Sequence, residues 1–177
     1  MDAPRSRYAR IERERRWLLP ELPTDLAVCR TLEIGDRYLR GTSLRLRVVA
    51  EAGAETVHKL GHKTRFRPDE PSTVAHTTMY LDVPTYEVLA VLPADQLVKT
   101  RHLLAGEHPT WVVDLFHGEL EGLVLAEIDL GDSPQPPGLT PPVPTAVEVT
   151  SDDRFTGGAL ARCSRADLTA LLGDLRR

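Results

Sequence analysis

Ile11-Glu12-Arg13-Glu14-Arg15-Arg16-Trp17-Leu18-Leu19 is the stretch on which the fold turns. Five consecutive charged residues give way abruptly to apolar ones. As a strand, its period of two sets Glu12, Glu14 and Arg16 on one face, and Ile11, Arg13, Arg15 and Trp17 on the other. Two carboxylates about 7 Å apart, followed by a cation, make an odd face for a strand. It suits a face that holds a divalent metal together with an anionic ligand. A solvated edge strand guarded by charge is the plainer alternative.

Further strands repeat the pattern. Arg45 and Arg47 alternate with Leu44, Leu46 and Val48; Lys59 and Lys63 share a face with Gly61; Lys99 and Arg101 are in phase. Asp114 sits among apolar neighbours, and Glu127 and Asp129 oppose Val124, Ala126, Ile128 and Leu130. An ordinary wet face would mix Ser, Thr, Lys and Glu. Here cation pairs and acid pairs fall on separate strands. Closing the sheet with its apolar face outward places these charges inside a barrel. Unpaired burial would cost several kcal/mol each, so acids must meet metal ions and cations must meet acids or a polyanion.

The remaining signals set the bounds. The chain has 177 residues, 41% hydrophobic and 27% charged, which suits one globular domain spanning 1–177. A net charge of -4 lacks the basic excess of a nucleic-acid binder. No apolar run reaches a membrane span, and residues 1–10 lack a secretory signal, so the expected location is cytoplasmic. Cys29 and Cys163 are expected to be small buried apolar residues. Residues 24–30 are read as a short helix, 31–39 as a strand, 77–82 as a strand, and Asp82-Val83-Pro84 as a helix start running to about Leu92. Residues 134–144 are Pro-rich and read as an extended loop, and 145–150 as a last strand. Ser164 through Asp167 forms a capping-box-like helix start, with Leu168, Leu171, Leu172 and Leu175 on one face of the helix that follows. The histidines show no zinc spacing with the cysteines. His58 and His62 should point outward, and His76, His102, His108 and His117 are read as structural or surface residues. There is no P-loop.

Taken in order, these motifs resemble the CYTH superfamily, the triphosphate tunnel metalloenzymes. The family's Glu-x-Glu-x-Lys stands here as Glu12-x-Glu14-x-Arg16, and its Arg-x-Arg as Arg45-Leu46-Arg47. Its lysine strand is Lys59-Leu60-Gly61-His62-Lys63, its Lys-x-Arg is Lys99-Thr100-Arg101, and its lone aspartate is Asp114. Its late acidic strand is Gly122-Leu123-Val124-Leu125-Ala126-Glu127-Ile128-Asp129, and Glu148-Val149-Thr150 through Arg154 matches the near-terminal segment. The ordered set, from about Ile11 to Ala161, is far more specific than any one dipeptide. Two positions depart from the family: Arg16 replaces a lysine, keeping the charge but not an easily lost proton, and Asp129 replaces a glutamate.

The resemblance implies an α+β, mainly β fold: an eight-stranded closed antiparallel barrel with flanking helices and a C-terminal helix. It implies divalent-metal-dependent hydrolysis of a triphosphate-containing small molecule, with inorganic tripolyphosphate as the expected substrate. Glu12, Glu14, Asp114, Glu127 and Asp129 would hold Mg²⁺ or Mn²⁺. Arg16, Arg45, Arg47, Lys59, Lys63, Lys99 and Arg101 would bind substrate. Glu12, Glu14, Arg16, Glu127 and Asp129 would act in catalysis. The family's other activities are the alternatives: a class IV type adenylyl cyclase, a thiamine or nucleoside triphosphatase, or a non-catalytic polyphosphate- or nucleotide-binding module. Trp111 opposes Asp114 in phase and is expected outside the barrel. A monomer or homodimer is expected, with neither nucleic acid nor membrane as partner.

Overall fold

The computed structural model describes residues 8–65, 72–106, 110–131, 139–141 and 146–175. Among the described residues, nine strands follow the charge-patterned segments: β1 (Arg10–Leu19), β2 (Val28–Leu39), β3 (Leu44–Ala50), β4 (Val57–Arg65), β5 (Thr73–Leu81), β6 (Ala94–Leu104), β7 (Trp111–Phe116), β8 (Val124–Asp129) and β9 (Val147–Glu148). Helix α1 (Val83–Ala90) lies between β5 and β6, and α2 (Gly157–Leu160) and α3 (Arg165–Asp174) end the chain. The strand order β5-β4-β3-β2-β6-β7-β8-β1 closes through an antiparallel β5–β1 pairing into an eight-stranded barrel. β5 pairs with β1 over residues 10–13, and β9 takes up the same strand at Trp17 and Leu18.

Alternation places one set of each strand's side chains in the lumen. Part-way along several strands the inward set changes from charged to apolar. Arg16 is followed by Leu18, Lys99 is preceded by Leu97, Asp114 is followed by Phe116, and Glu127 is preceded by Leu125. These apolar residues pack with Phe155, Leu160, Leu168 and Leu171 of the C-terminal segment. That segment therefore fills the apolar end of the barrel. A second apolar cluster lies on the outer face of β1, β7 and β8, where Trp17, Val113, Ala126 and Ile128 meet Leu22, Leu26 and Trp111. The Trp17 and Trp111 rings stand 5.0 Å apart there, outside the barrel as their phase requires.

Several boundaries differ from the sequence reading. Residues 24–27 form no helix, because β2 begins at Val28, drawn into pairing with Leu104 across a register shift near Cys29. β5 begins four residues earlier than expected, at Thr73, because β1 supplies a partner for residues 73–76. α1 is capped by the Asp82 side chain, which accepts from Thr85 N at 2.9 Å. It ends at Ala90, short of the expected Leu92, and both Val88 within it and Leu92 beyond it are exposed. Ser164 and Asp167 form the reciprocal capping box of α3. Cys29 is exposed and Cys163 half-buried, and both are free thiols, so the expectation of burial fails for Cys29. The Pro-rich loop lies mostly, and His108 wholly, outside the described residues.

Candidate active site

The lumen holds a cavity of about 950 Å³. Glu12, Glu14, Arg16, Arg45, Arg47, Lys63, Lys99, Arg101, Glu127 and Asp129 all line it. The strand register explains the convergence. Glu14 lies opposite Asp129 and Arg16 opposite Glu127 across β1 and β8, and Arg101 lies opposite Asp114 across β6 and β7.

A chain of alternating charge runs through five strands, and His76 of a sixth, β5, is bonded to its end. His76 Nδ1 donates to Glu12 Oε1 at 2.5 Å, and Glu12 Oε2 stands 2.8 Å from Lys63 Nζ. Lys63 donates to Glu14 Oε1 at 2.5 Å, and Glu14 also accepts from Arg16. Arg16 Nε donates to Glu127 Oε1 at 2.8 Å, and Arg101 Nη2 donates to Glu127 Oε2 at 2.7 Å. Arg101 grips Asp114 through two bonds of 2.7 Å, and Lys99 closes the chain on Asp114 at 2.5 Å.

A second cluster stands apart. Asp36 accepts from Arg47 through bonds of 2.6 and 2.7 Å. Arg45 Nε lies 3.5 Å from Asp36 Oδ1 and, buried, finds no hydrogen-bond acceptor among the described residues.

These pairings set the ionisation states. Burial alone would raise the Glu14 carboxyl, but Lys63 and Arg16 outweigh it and hold Glu14 well below the usual value. Glu127 is lowered against its burial by Lys99 and Arg16, and Asp114 against its burial by Arg101 and Lys99. Asp36 is pulled down to about 2 by Arg47 and then Arg45, again against burial. Lys99 moves the other way. Burial first, and then Arg101, push its ammonium below the ordinary lysine value. Asp129 is raised by burial, and Glu12 and Glu14 add to the rise.

The donor set has the chemistry for a hard divalent cation. Glu12, Glu14 and Asp129 offer carboxylate oxygens, and Asp129 feels the other two as like charges that a cation would relieve. Glu12 Oε2 is buried, with the Lys63 ammonium 2.8 Å away. Among the described residues, no three acid, imidazole or thiol groups already stand close enough to hold an ion. Lys63 Nζ sits where Glu12 and Glu14 converge. Both oxygens of Asp114 and of Glu127 are engaged by the cations of β1 and β6.

Not every sequence candidate joins this group. Lys59 does not line the cavity; its ammonium lies 5.1 Å from the Tyr80 ring centroid. Glu148 pairs with Arg15 on the outer face, and Arg154 pairs with Asp152 and Asp174 at the surface. His58 lies outside, against Tyr86 of α1.

Three lumen residues escaped the sequence reading. Asp36 and Tyr38 share the inward phase of β2, but that strand's loose alternation hides it. His76, read from sequence as structural or surface, lines the cavity. It was missed because only pairing with β1 and β4 extends β5 back to include it.

No family model and no curated protein matches the chain. Among solved structures it is similar to the inorganic triphosphatase NE1496, with 25% identity and a TM-score of 0.54, over 86% of this chain and 95% of that one. It is also similar to a structure described as the hypothetical protein NE1496, with 24% identity and a TM-score of 0.53, over 86% of this chain and 99% of that one.

Proposed function

We propose that this chain, a member of the CYTH superfamily of triphosphate tunnel proteins, hydrolyses a phosphoanhydride bond of a triphosphate inside its barrel. Inorganic tripolyphosphate is the proposed substrate, and Mg²⁺ or Mn²⁺ the accompanying cation. The observation that carries this reading is the unbroken charge-alternating chain, most of whose members line one cavity. The similar fold of a protein named an inorganic triphosphatase supports it.

The carboxylates of the lumen support a role for a metal. Arg16, Arg47, Lys63, Lys99 and Arg101 are each paired with a carboxylate, and Arg40, Arg65 and Arg162 add further positive charge to the lining. Phosphoryl transfer depends on positioning and charge neutralisation, and positive charge entering with the substrate would offset the carboxylates it meets. A divalent cation supplies that charge when bound, and Glu12, Glu14 and Asp129 are the residues proposed to hold it.

The cations have a separate task. Arg45 Nε lacks an acceptor, so it can bind a phosphate oxygen without breaking an existing hydrogen bond. Arg16 and Arg101 would exchange Glu127 and Asp114 for phosphate oxygens, releasing those carboxylates. Arg16 remains protonated throughout, because burial is outweighed by Glu14 and Glu127, which raise it. Arg16 therefore binds and orients and does not transfer a proton.

The size of the cavity favours one second reading. At about 950 Å³ it lies near the top of the usual range for small-molecule pockets and has room for an organic triphosphate. A panel of tripolyphosphate, ATP and thiamine triphosphate, each with Mg²⁺ and Mn²⁺, separates these cases when both phosphate and cyclic AMP are read. The expected result is fastest phosphate release from tripolyphosphate, abolished by Glu12→Ala or Glu127→Ala. Cyclic AMP as the product, or full activity in either variant, contradicts the assignment.

A further inference from the structure

Glu12 ends the charge-alternating chain, and its two oxygens have different neighbours. Oε1 accepts from His76 Nδ1 at 2.5 Å, while Oε2 pairs with the Lys63 ammonium at 2.8 Å. An ionised carboxylate can only accept, so His76 Nδ1 carries the proton. The other ring nitrogen, Nε2, lies 3.1 Å from Thr78 Oγ1. The imidazole is therefore held at both nitrogens.

Shape holds it as well. Gly61 lies between Lys59 and Lys63 in the inward phase of β4, opposite Thr78 on β5. A Cβ at Gly61 would stand 3.1 Å from His76 Nε2 and 3.7 Å from Arg45 Nη2. The missing side chain leaves the space that the ring and the guanidinium use. His76 is only 13% exposed, so its position is set by packing as well as by hydrogen bonds.

We propose that His76 is a positioning residue: it fixes Glu12 Oε1 so that Oε2 is presented to a divalent cation in the lumen. This rests on the proposed cation-assisted reading of the site. Both ring nitrogens are already engaged, which suits His76 to orienting a ligand. Partners of this kind are typically worth 10–100-fold in metal affinity.

The test is Mn²⁺ affinity of the full chain without substrate, measured by electron paramagnetic resonance. His76→Ala should weaken binding 10–100-fold. His76→Asn can place an amide N–H near the position of Nδ1 and should recover most of that loss. A melting curve in EDTA shows whether each variant is folded. Should His76→Ala fail to fold, Thr78→Val removes the hydroxyl on Nε2 while keeping the side chain's shape, and should still weaken binding several-fold. Unchanged affinity in whichever of these is folded overturns the proposal, as does a folded His76→Asn no better than His76→Ala. Wild-type protein that binds no Mn²⁺ contradicts the metal reading itself. Normal wild-type binding that is indifferent to His76 contradicts the positioning role alone.

Discussion

Asp129 and Asp36 respond to the lumen in opposite directions, and each makes a prediction. Asp129 is raised by burial and by its acidic neighbours, so its ionisation destabilises the cation-free protein. The sign follows: its contribution is fully present below the unfolded value and is lost as pH rises through the raised folded value. Asp129 Oδ1 accepts from Arg13 N and Gly131 N, and an amide oxygen can keep both bonds. Asp129→Asn should therefore melt no lower than wild type in EDTA at neutral pH, while binding Mn²⁺ more weakly. A lower melting temperature with unchanged Mn²⁺ affinity contradicts this. Asp36 is held down to about 2 by Arg47, so its contribution is present above the ordinary carboxyl value and lost as pH falls through about 2. The linkage amounts to about 2 kcal/mol. Urea unfolding between pH 5 and pH 2 should show that loss in wild type and a flatter profile in Asp36→Asn. Arg45 should act in substrate binding, so Arg45→Ala should raise KM for tripolyphosphate more than it lowers kcat. Steady-state kinetics with an unchanged KM would argue against it.

Strands with strong alternation could be read from sequence; those defined by their partners could not. β3 separates charge from apolar residues cleanly, and β1 and β6 carry Glu12/Glu14/Arg16 and Lys99/Arg101 in one phase, so Glu12, Arg45 and Lys99 fall on the correct face. β2 and β5 carry weaker patterns, and the ends that hold Val28 and His76 exist because β6 and β1 pair with them. Pairing energy is non-local, so no window of sequence contains it. Lys59 shows the opposite error. Its phase was right, and its partner Arg47 lines the cavity, but the Lys59 ammonium lies 5.1 Å from the Tyr80 ring centroid and Lys59 does not line the cavity. At the C-terminal end, α2 packs its glycines on Tyr38. A Cβ on Gly157 would collide with Tyr38 Oη, and Tyr38 hydrogen-bonds Arg45. Gly157→Ala should cost about 1–3 kcal/mol by overpacking and should also raise KM through Arg45. Denaturant unfolding and kinetics on one preparation check both effects, and a neutral outcome in both removes α2 from the account of the site.

For the whole molecule, the segregated charges indicate a closed barrel with its charges inside, and the family resemblance carried by their order implies its eight strands. The pairing of those charges was not legible. Which acid meets which cation depends on register and strand level, so the separate Asp36–Arg47 cluster and the Glu127 bridge between Arg16 and Arg101 emerge only once the barrel is closed. Closure also brings Glu12, Glu14 and Asp129 to one cavity, and the proposed function has a divalent cation arrive there with the phosphate chain. The direct test is phosphate release from tripolyphosphate by the wild-type chain as Mn²⁺ is titrated into an EDTA-stripped sample. The account predicts no release before cation is added and a saturable rise as it binds. Full release in EDTA, or none at saturating Mn²⁺, would contradict it.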